Sequence, residues 1–299
     1  MKSIKYIILG MLVLILLLPA FTYMQKQQKV NTLVFQAVDA KATISQLNAA
    51  KEIFSLRLKS LTLKNFQLFE KSDARQIILS VTERADLEKA KDILLAVGKV
   101  NFYPVIIRQQ VLRTIENQME LICTRQIHDL MHLSDSASFR SDYLLGQSTS
   151  NDTSAINSCL GTVAMKGLLP ANLRLLWSKY IDKAGRLDLF AVNAADNDIS
   201  ERSISEAKAL DSNQGSTGIS LTFREDMWAT WKELTHNNIN KTLAIVIDGH
   251  VYSAPMVRNE IASGKVVITG NFSVDEVNKL VAVISHGPLP VQFEIVEMP

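Results

Sequence analysis

The chain of 299 residues has only two cysteines, Cys123 and Cys159, and no surplus of charge, with 32 Lys and Arg against 30 Asp and Glu. Two thiols are too few to staple a small scaffold, and neither sits in a CxxC or Cys/His spacing that would hold zinc. The balanced charge gives no global pull toward nucleic acid. Also missing are a glycine-rich phosphate loop and a GxSxG elbow, so nucleotide chemistry and hydrolysis at a serine such as Ser253 lack their usual carriers. What is abundant is apolar: 47% of residues are hydrophobic, enough to bury a core and to set the chain apart from disordered sequences. Its length suggests about two domains at roughly 100 to 200 residues each.

One long apolar run is present. Tyr6 to Met24 carries no charged residue, and at ~1.5 Å rise per helical residue it reaches ~28 Å, about one hydrocarbon core. Residues 1–28 therefore read as an uncleaved anchor. A cleavable signal peptide is the competing reading, because Lys2 and Lys5 form a basic flank and Pro19-Ala20 offers small-residue context for a cut. The length of the run and the bulky Leu18 favour the anchor. No later segment is long enough to span, so the rest is a soluble body on one side of the membrane. Lys26 and Lys29 balance Lys2 and Lys5, and only the shortness of the N-terminus favours a cytoplasmic start.

Periodicity organises that body. Strands are expected at Leu33–Val38, Phe66–Phe69, Gln76–Val81 and Val100–Ile107, with helices over residues 42–63 and 86–97, the second stopped by Gly98. The order βαββαβ predicts a ferredoxin-like module over residues 29–108. A related order, with one more strand between its helices, recurs over residues 218–299 and is read as a second ferredoxin-like module. Strand Gly218–Phe223 is followed by a helix from Glu225 to Leu234, strands at Leu243–Ile247, His250–Val257 and Lys265–Thr269, a helix from Val274 to Ile284 and a last strand Val291–Val296. Asp248-Gly249 is a two-residue hairpin signal calling for positive φ at both positions, and Ser273 with Glu276 forms a capping box. Residues 109–217 read as an insertion or cap. It comprises a helix over 109–132, a polar loop at 146–154, a short helix near 155–165 and strands at 173–177 and 187–192. The fold class is α+β: an anchor helix, then two ferredoxin-like modules around an inserted segment.

Candidate sites are few. His128 and His132 share a helical face at metal-binding spacing, but with no third ligand a solvated face is the better reading. Cys123 and Cys159 form a disulfide in an oxidising compartment or are simply small buried residues; the sequence leaves both open. Asp248 has no nucleophile or base beside it in sequence, and the hairpin accounts for it. Trp228 and Trp231, with Met227, form either a permissive apolar platform for an unfolded partner or part of a core, the latter being commoner. No catalytic residue, metal site or cofactor site is assigned.

The last hundred residues resemble the periplasmic P1 domain of SecD, an auxiliary subunit of the bacterial preprotein translocase. The resemblance is carried by LTHNNINKTLAIVIDGHVYSAPMV, with Asp248-Gly249 and Ser253-Ala254-Pro255, by VVITGNFSVDE with Gly270, and by Gly287-Pro288-Leu289-Pro290. Where the family usually has a Gly-Gly pair after its first strand, this chain has Val38-Asp39-Ala40-Lys41, so that turn must differ. The resemblance implies a non-enzymatic, inner-membrane-anchored periplasmic protein that assists export by contacting unfolded polypeptide or Sec translocase subunits. It implies no cofactor and no nucleic acid, in a single-anchor form lacking the later SecD helices and SecF, and hence its own proton coupling. The alternative is an envelope protein-interaction scaffold that keeps the P1 fold without the export role.

Overall fold

The computed structural model describes residues 31–63, 65–111, 142–161, 167, 169–195, 199–210, 217–270 and 272–297. The apolar run at residues 6–24, Cys123, His128, His132 and most of the helix expected over 109–132 lie outside them. Among the described residues no helix is long and apolar enough to cross a membrane. They form two compact units, one within Met1–Leu95 and Pro290–Pro299, the other within Ala96–Leu289.

In the first unit, β1 (Asn31–Ala37), α1 (Ile44–Ser60), β2 (Phe66–Lys71), β3 (Gln76–Val81) and α2 (Arg84–Leu95) follow one another, and β13 (Phe293–Glu297) returns from the far end of the chain. The antiparallel sheet runs β13-β1-β3-β2. At the turn after β1 the glycine pair of the resembled family is absent. Asp39 does the work instead, accepting the Lys41 amide on its carboxylate at 2.8 Å and the Ala42 amide on its carbonyl at 3.1 Å. Thr43 and Gln46 then start α1 with reciprocal side-chain to backbone bonds. The core of the unit is aromatic at its centre, with Phe54 between Phe35 (5.2 Å) and Phe293 (5.3 Å). Buried Arg57 donates through Nη1 to the Ile93 carbonyl at 2.9 Å, joining the two helices.

This arrangement corrects the expected pairing. β4 (Val100–Pro104), expected to close the first module, lies in the second unit and pairs with β10 (Leu243–Ile247), from Leu243↔Pro104 to Ile247↔Val100. The fourth place in the first sheet belongs to β13. Alternating burial says which side chains face a core, but not which strand lies alongside. The side chains decide it: Phe102 packs on Trp231 at 5.1 Å and on Phe223 at 5.5 Å, whereas Phe293 packs on Phe54.

The second unit adds β5 (Gly146–Thr149), α3 (Thr153–Leu160), β6 (Leu173–Trp177), β7 (Arg186–Asn193), β8 (Ile204–Ala209), β9 (Gly218–Phe223), α4 (Trp228–Asn237), β11 (His250–Ser253), β12 (Lys265–Thr269) and α5 (Val274–Ser285). Among the described residues its strands make three sheets, β11-β10-β4, β12-β9-β8 and β5-β7-β6. The C-terminal module expected over residues 218–299 therefore does not close as one sheet, since β9 lies between β12 and β8 in one sheet and β10 between β11 and β4 in another. Part of the loop expected at 146–154 is the strand β5, in register with β7 from Gly146↔Leu189 to Thr149↔Arg186. Its polar composition hid it; Ser148 is fully buried and Gln147 donates to Asp188 at 2.6 Å, so the polar groups are satisfied inside.

The described residues of the middle segment are built into this unit. Phe190 and Val192 share a buried cluster with Ala244, Val246 and Val251, and β8 is a sheet partner of β9. Cys159 is disulfide-bonded.

Candidate functional site

The Asp248-Gly249 hairpin joins β10 to β11 with φ of 49° and 79°. A Cβ on Gly249 would meet nothing within 4 Å, so glycine is needed there for its backbone freedom alone. Asp248 does more than turn the chain. Its carboxylate accepts the amides of Gly98 (2.8 and 3.1 Å) and Lys99 (2.8 Å), and its own amide donates to the Lys99 carbonyl at 3.0 Å. Beside this clamp the Leu289 amide donates to Val97 at 2.7 Å. The stretch leading into β4 and the stretch following α5 are thus tied together, with Gly98 (φ 89°) and Gly287 (φ 73°) allowing the bends. Pro290 begins the return to the first unit. Sequence reading found the hairpin and missed the clamp, whose partner lies 150 positions away.

The other motif residues are likewise structural in their contacts. Ser253 ends β11 and its hydroxyl donates to the Thr269 carbonyl at 3.4 Å; Pro255 accepts the Leu243 amide at 3.0 Å. Ala254 packs on the cluster containing Val246 and Val251. A Cβ on Gly270 would crowd the Phe272 ring at 3.0 Å. Trp231 is corrected as a partner-contact residue: it is 1% exposed, locked between Phe102 and Phe223. Trp228 is 37% exposed, but its indole lies over Gly264 and donates to the Phe223 carbonyl at 3.0 Å, which fixes it as a lid on the chain turn.

Between the middle segment and this motif runs a groove of about 890 Å³. Tyr143, Tyr180, Ile181, Phe190, Tyr252 and Met256 give it apolar and aromatic lining; Ser253 and Ala254 of the motif border it. Tyr180 stands edge-on to Tyr252 at 5.7 Å and to Phe272 at 5.6 Å. Burial pushes the Tyr252 hydroxyl up to about 12, helped by the charges of Asp248 and Glu276, and raises that of Tyr180 as well. Both phenols are neutral at any physiological pH. Charges of both signs sit among them: Lys183, Arg186 and Asp182, the last held below its usual carboxylate range first by the Arg186 amide. Ile181 stands at the groove with 61% of its surface exposed. Rigid tyrosines with interspersed polar groups make a surface suited to peptide chains of varied sequence. Among the described residues no group of three or more His, Cys, Asp or Glu is placed to hold a metal ion.

The family model of the SecDF P1 head subdomain matches residues 186–291. The protein translocase subunit SecDF of Thermus thermophilus is 39% identical over 95 residues, 32% of this chain and 13% of that protein. Subunit SecD of Rhodothermus marinus is 30% identical over 150 residues (49% and 24%), and that of Desulfurispirillum indicum 27% over 159 residues (52% and 31%). The chain thus spans less than a third of the length of these curated relatives. In fold it is similar to a crystal structure of SecDF in its super-membrane-facing form (TM-score 0.55, 20% identity, 90% of this chain and 30% of that one). It is also similar to a structure of SecDF described as a membrane component that enhances protein export (TM-score 0.53, 21% identity, 90% and 99%).

Proposed function

We propose that this chain, a SecD P1 domain protein carrying the SecDF P1 head subdomain at residues 186–291, assists protein export by holding unfolded polypeptide in the Tyr180–Tyr252 groove. The observation that carries the reading is the groove's make-up: neutral, partly buried tyrosines beside exposed Ile181, walled by the middle segment on one side and the family motif on the other. Such a surface discriminates by disorder more than by sequence, because only an unfolded chain presents apolar side chains and backbone together. Binding of this kind is passive and needs no proton gradient. The run at residues 6–24 would anchor the protein in the inner membrane with its body in the periplasm, where emerging chains and translocase subunits are its partners.

The test is association of the full chain with an export precursor held unfolded, compared with the same precursor folded. Weak binding of the unfolded form alone, reduced by Ile181→Glu, is expected. Equal binding of both forms, or of neither, would favour the envelope scaffold instead.

A further inference from the structure

A second concave feature of the same unit lies beside β12. That strand pairs with β9 on one side, from Lys265↔Thr222 to Thr269↔Gly218, and among the described residues no strand lies on its other side, where the Ser253 hydroxyl takes up the Thr269 carbonyl and leaves the backbone groups of Lys265 and Val267 facing outward. A slot of about 330 Å³ runs there, lined by Lys265, Val266 and Val267 in succession. Neighbouring residues of a strand point to opposite faces, so lining by three consecutive residues means that the slot follows the strand's edge, where its backbone donors and acceptors are. The slot's accessible apolar lining is Val267, 50% exposed, with half-buried Met256, Ile261 and Val266; the core residues Phe102, Trp231, Leu243 and Ile245 lie buried beneath it. The opposite wall is the connection from Pro255 to Ile261, pinned by the Ile261 amide donating to Thr235 Oγ1 at 2.9 Å.

The charge at the slot is one-sided. Glu260 is already engaged by His236 (3.1 Å) and Lys232 (3.4 Å), and the hydrogen bond from His236 leads the effects that hold its carboxyl below the usual range. Arg258 and Lys265 are exposed and carry no ion pair among the described residues. An open strand edge, an apolar lining and two uncommitted cations together specify an occupant.

We infer that the β12 edge takes up an extended segment of a captured chain as an added strand, preferring apolar alternation with a carboxylate facing Arg258 and Lys265. The inference rests on the capture reading and names a second place and a chemical preference for it. Backbone pairing gives affinity indifferent to sequence; the cations give the bias.

Hydrogen exchange of the full chain tests it with three short synthetic peptides: alternating valine and threonine with one central glutamate, the same with lysine there, and the glutamate peptide N-methylated at alternate amides. The glutamate peptide should slow exchange by about tenfold at Lys265, Val267 and Thr269, whose amides face away from β9. The lysine peptide should bind about fivefold more weakly, and N-methylation should cost about tenfold or more. Lys265→Glu, exposed and lining the slot but not the Tyr180–Tyr252 groove, should remove the preference for the glutamate peptide. Equal binding by the N-methylated peptide, protection elsewhere than β12, or no peptide binding would overturn the inference. If an unfolded precursor still binds in that case, capture stands and only the slot is lost; if it too fails, both readings go.

Discussion

The Asp248 carboxylate accepts the Gly98 amide at 2.8 Å across 150 positions of sequence. It couples the hairpin between β10 and β11 to the stretch that leads into β4. Hydrogen bonds to a charged acceptor contribute about 1.5–3 kcal/mol each. Asp248→Ala is therefore expected to lower the stability of the second unit by about 2 kcal/mol. Asp248→Asn keeps an acceptor oxygen and tolerance for positive φ, and should cost about half as much. Denaturant unfolding of both variants checks this; two negligible effects would mean the clamp contributes nothing.

Gly264 presents the sharper steric case. Its φ is 61° and a Cβ would come within 2.1 Å of the Trp228 ring. Gly264→Ala should destabilise by about 2 kcal/mol or more, with Trp228→Ala in the same background restoring part of the loss. Gly249→Val meets open space and should cost only its backbone strain, about 1 kcal/mol, yet more than Ser263→Ala. If Gly264→Ala were as mild as Ser263→Ala, the contact with Trp228 would be drawn wrongly.

Trp231 separates packing from hydrogen bonding. Its ring fills the aromatic centre of the unit, while its buried Nε1–H has no acceptor among the described residues. Trp231→Ala should cost about 3–5 kcal/mol. Trp231→Phe sheds the unsatisfied donor along with some volume and should cost far less. Similar losses for both would show that the N–H is bonded after all.

Local signals were legible in the sequence. Gln76–Val81 alternates cleanly and is a strand at those limits, and the Ser273/Glu276 box starts α5. Thr43/Gln46 carries the same signature and was there to be read. Asp248-Gly249 announced its turn through residue type. The partners of strands were another matter. β4 and β13 both follow a strand-like pattern after a helix, and only the packing of Phe102 on Trp231 and of Phe293 on Phe54 assigns each to its sheet. β5 reads as Gly-Gln-Ser-Thr, turn-forming residues made into a strand by bonds to β7 and Asp188. The groove was least legible of all, because Tyr180 and Tyr252 come from distant segments and meet only in the folded unit.

Alkaline pH reports on that meeting. The fold favours the neutral Tyr252 phenol, its hydroxyl raised to about 12 from an ordinary 10 chiefly by burial. A raised acid contributes stability that is complete below the unfolded value and is lost as pH climbs from 10 toward 12. Tyr180, raised for the same reason, acts with the same sign. Tyr252→Phe should flatten the fall in stability over that window. An unchanged slope would mean that Tyr252 ionises as freely as in an unfolded chain.

The central claim is that the Tyr180–Tyr252 groove holds unfolded polypeptide, and site-specific photocrosslinking in intact membranes measures it most directly. A crosslinking side chain at Ile181, exposed at the groove, is compared with one at Phe69, exposed on the first unit. Ile181 is expected to capture export precursors while they are unfolded and crossing, with Phe69 capturing few or none. Precursor crosslinks of equal yield at both positions, or at Phe69 alone, would contradict the assignment.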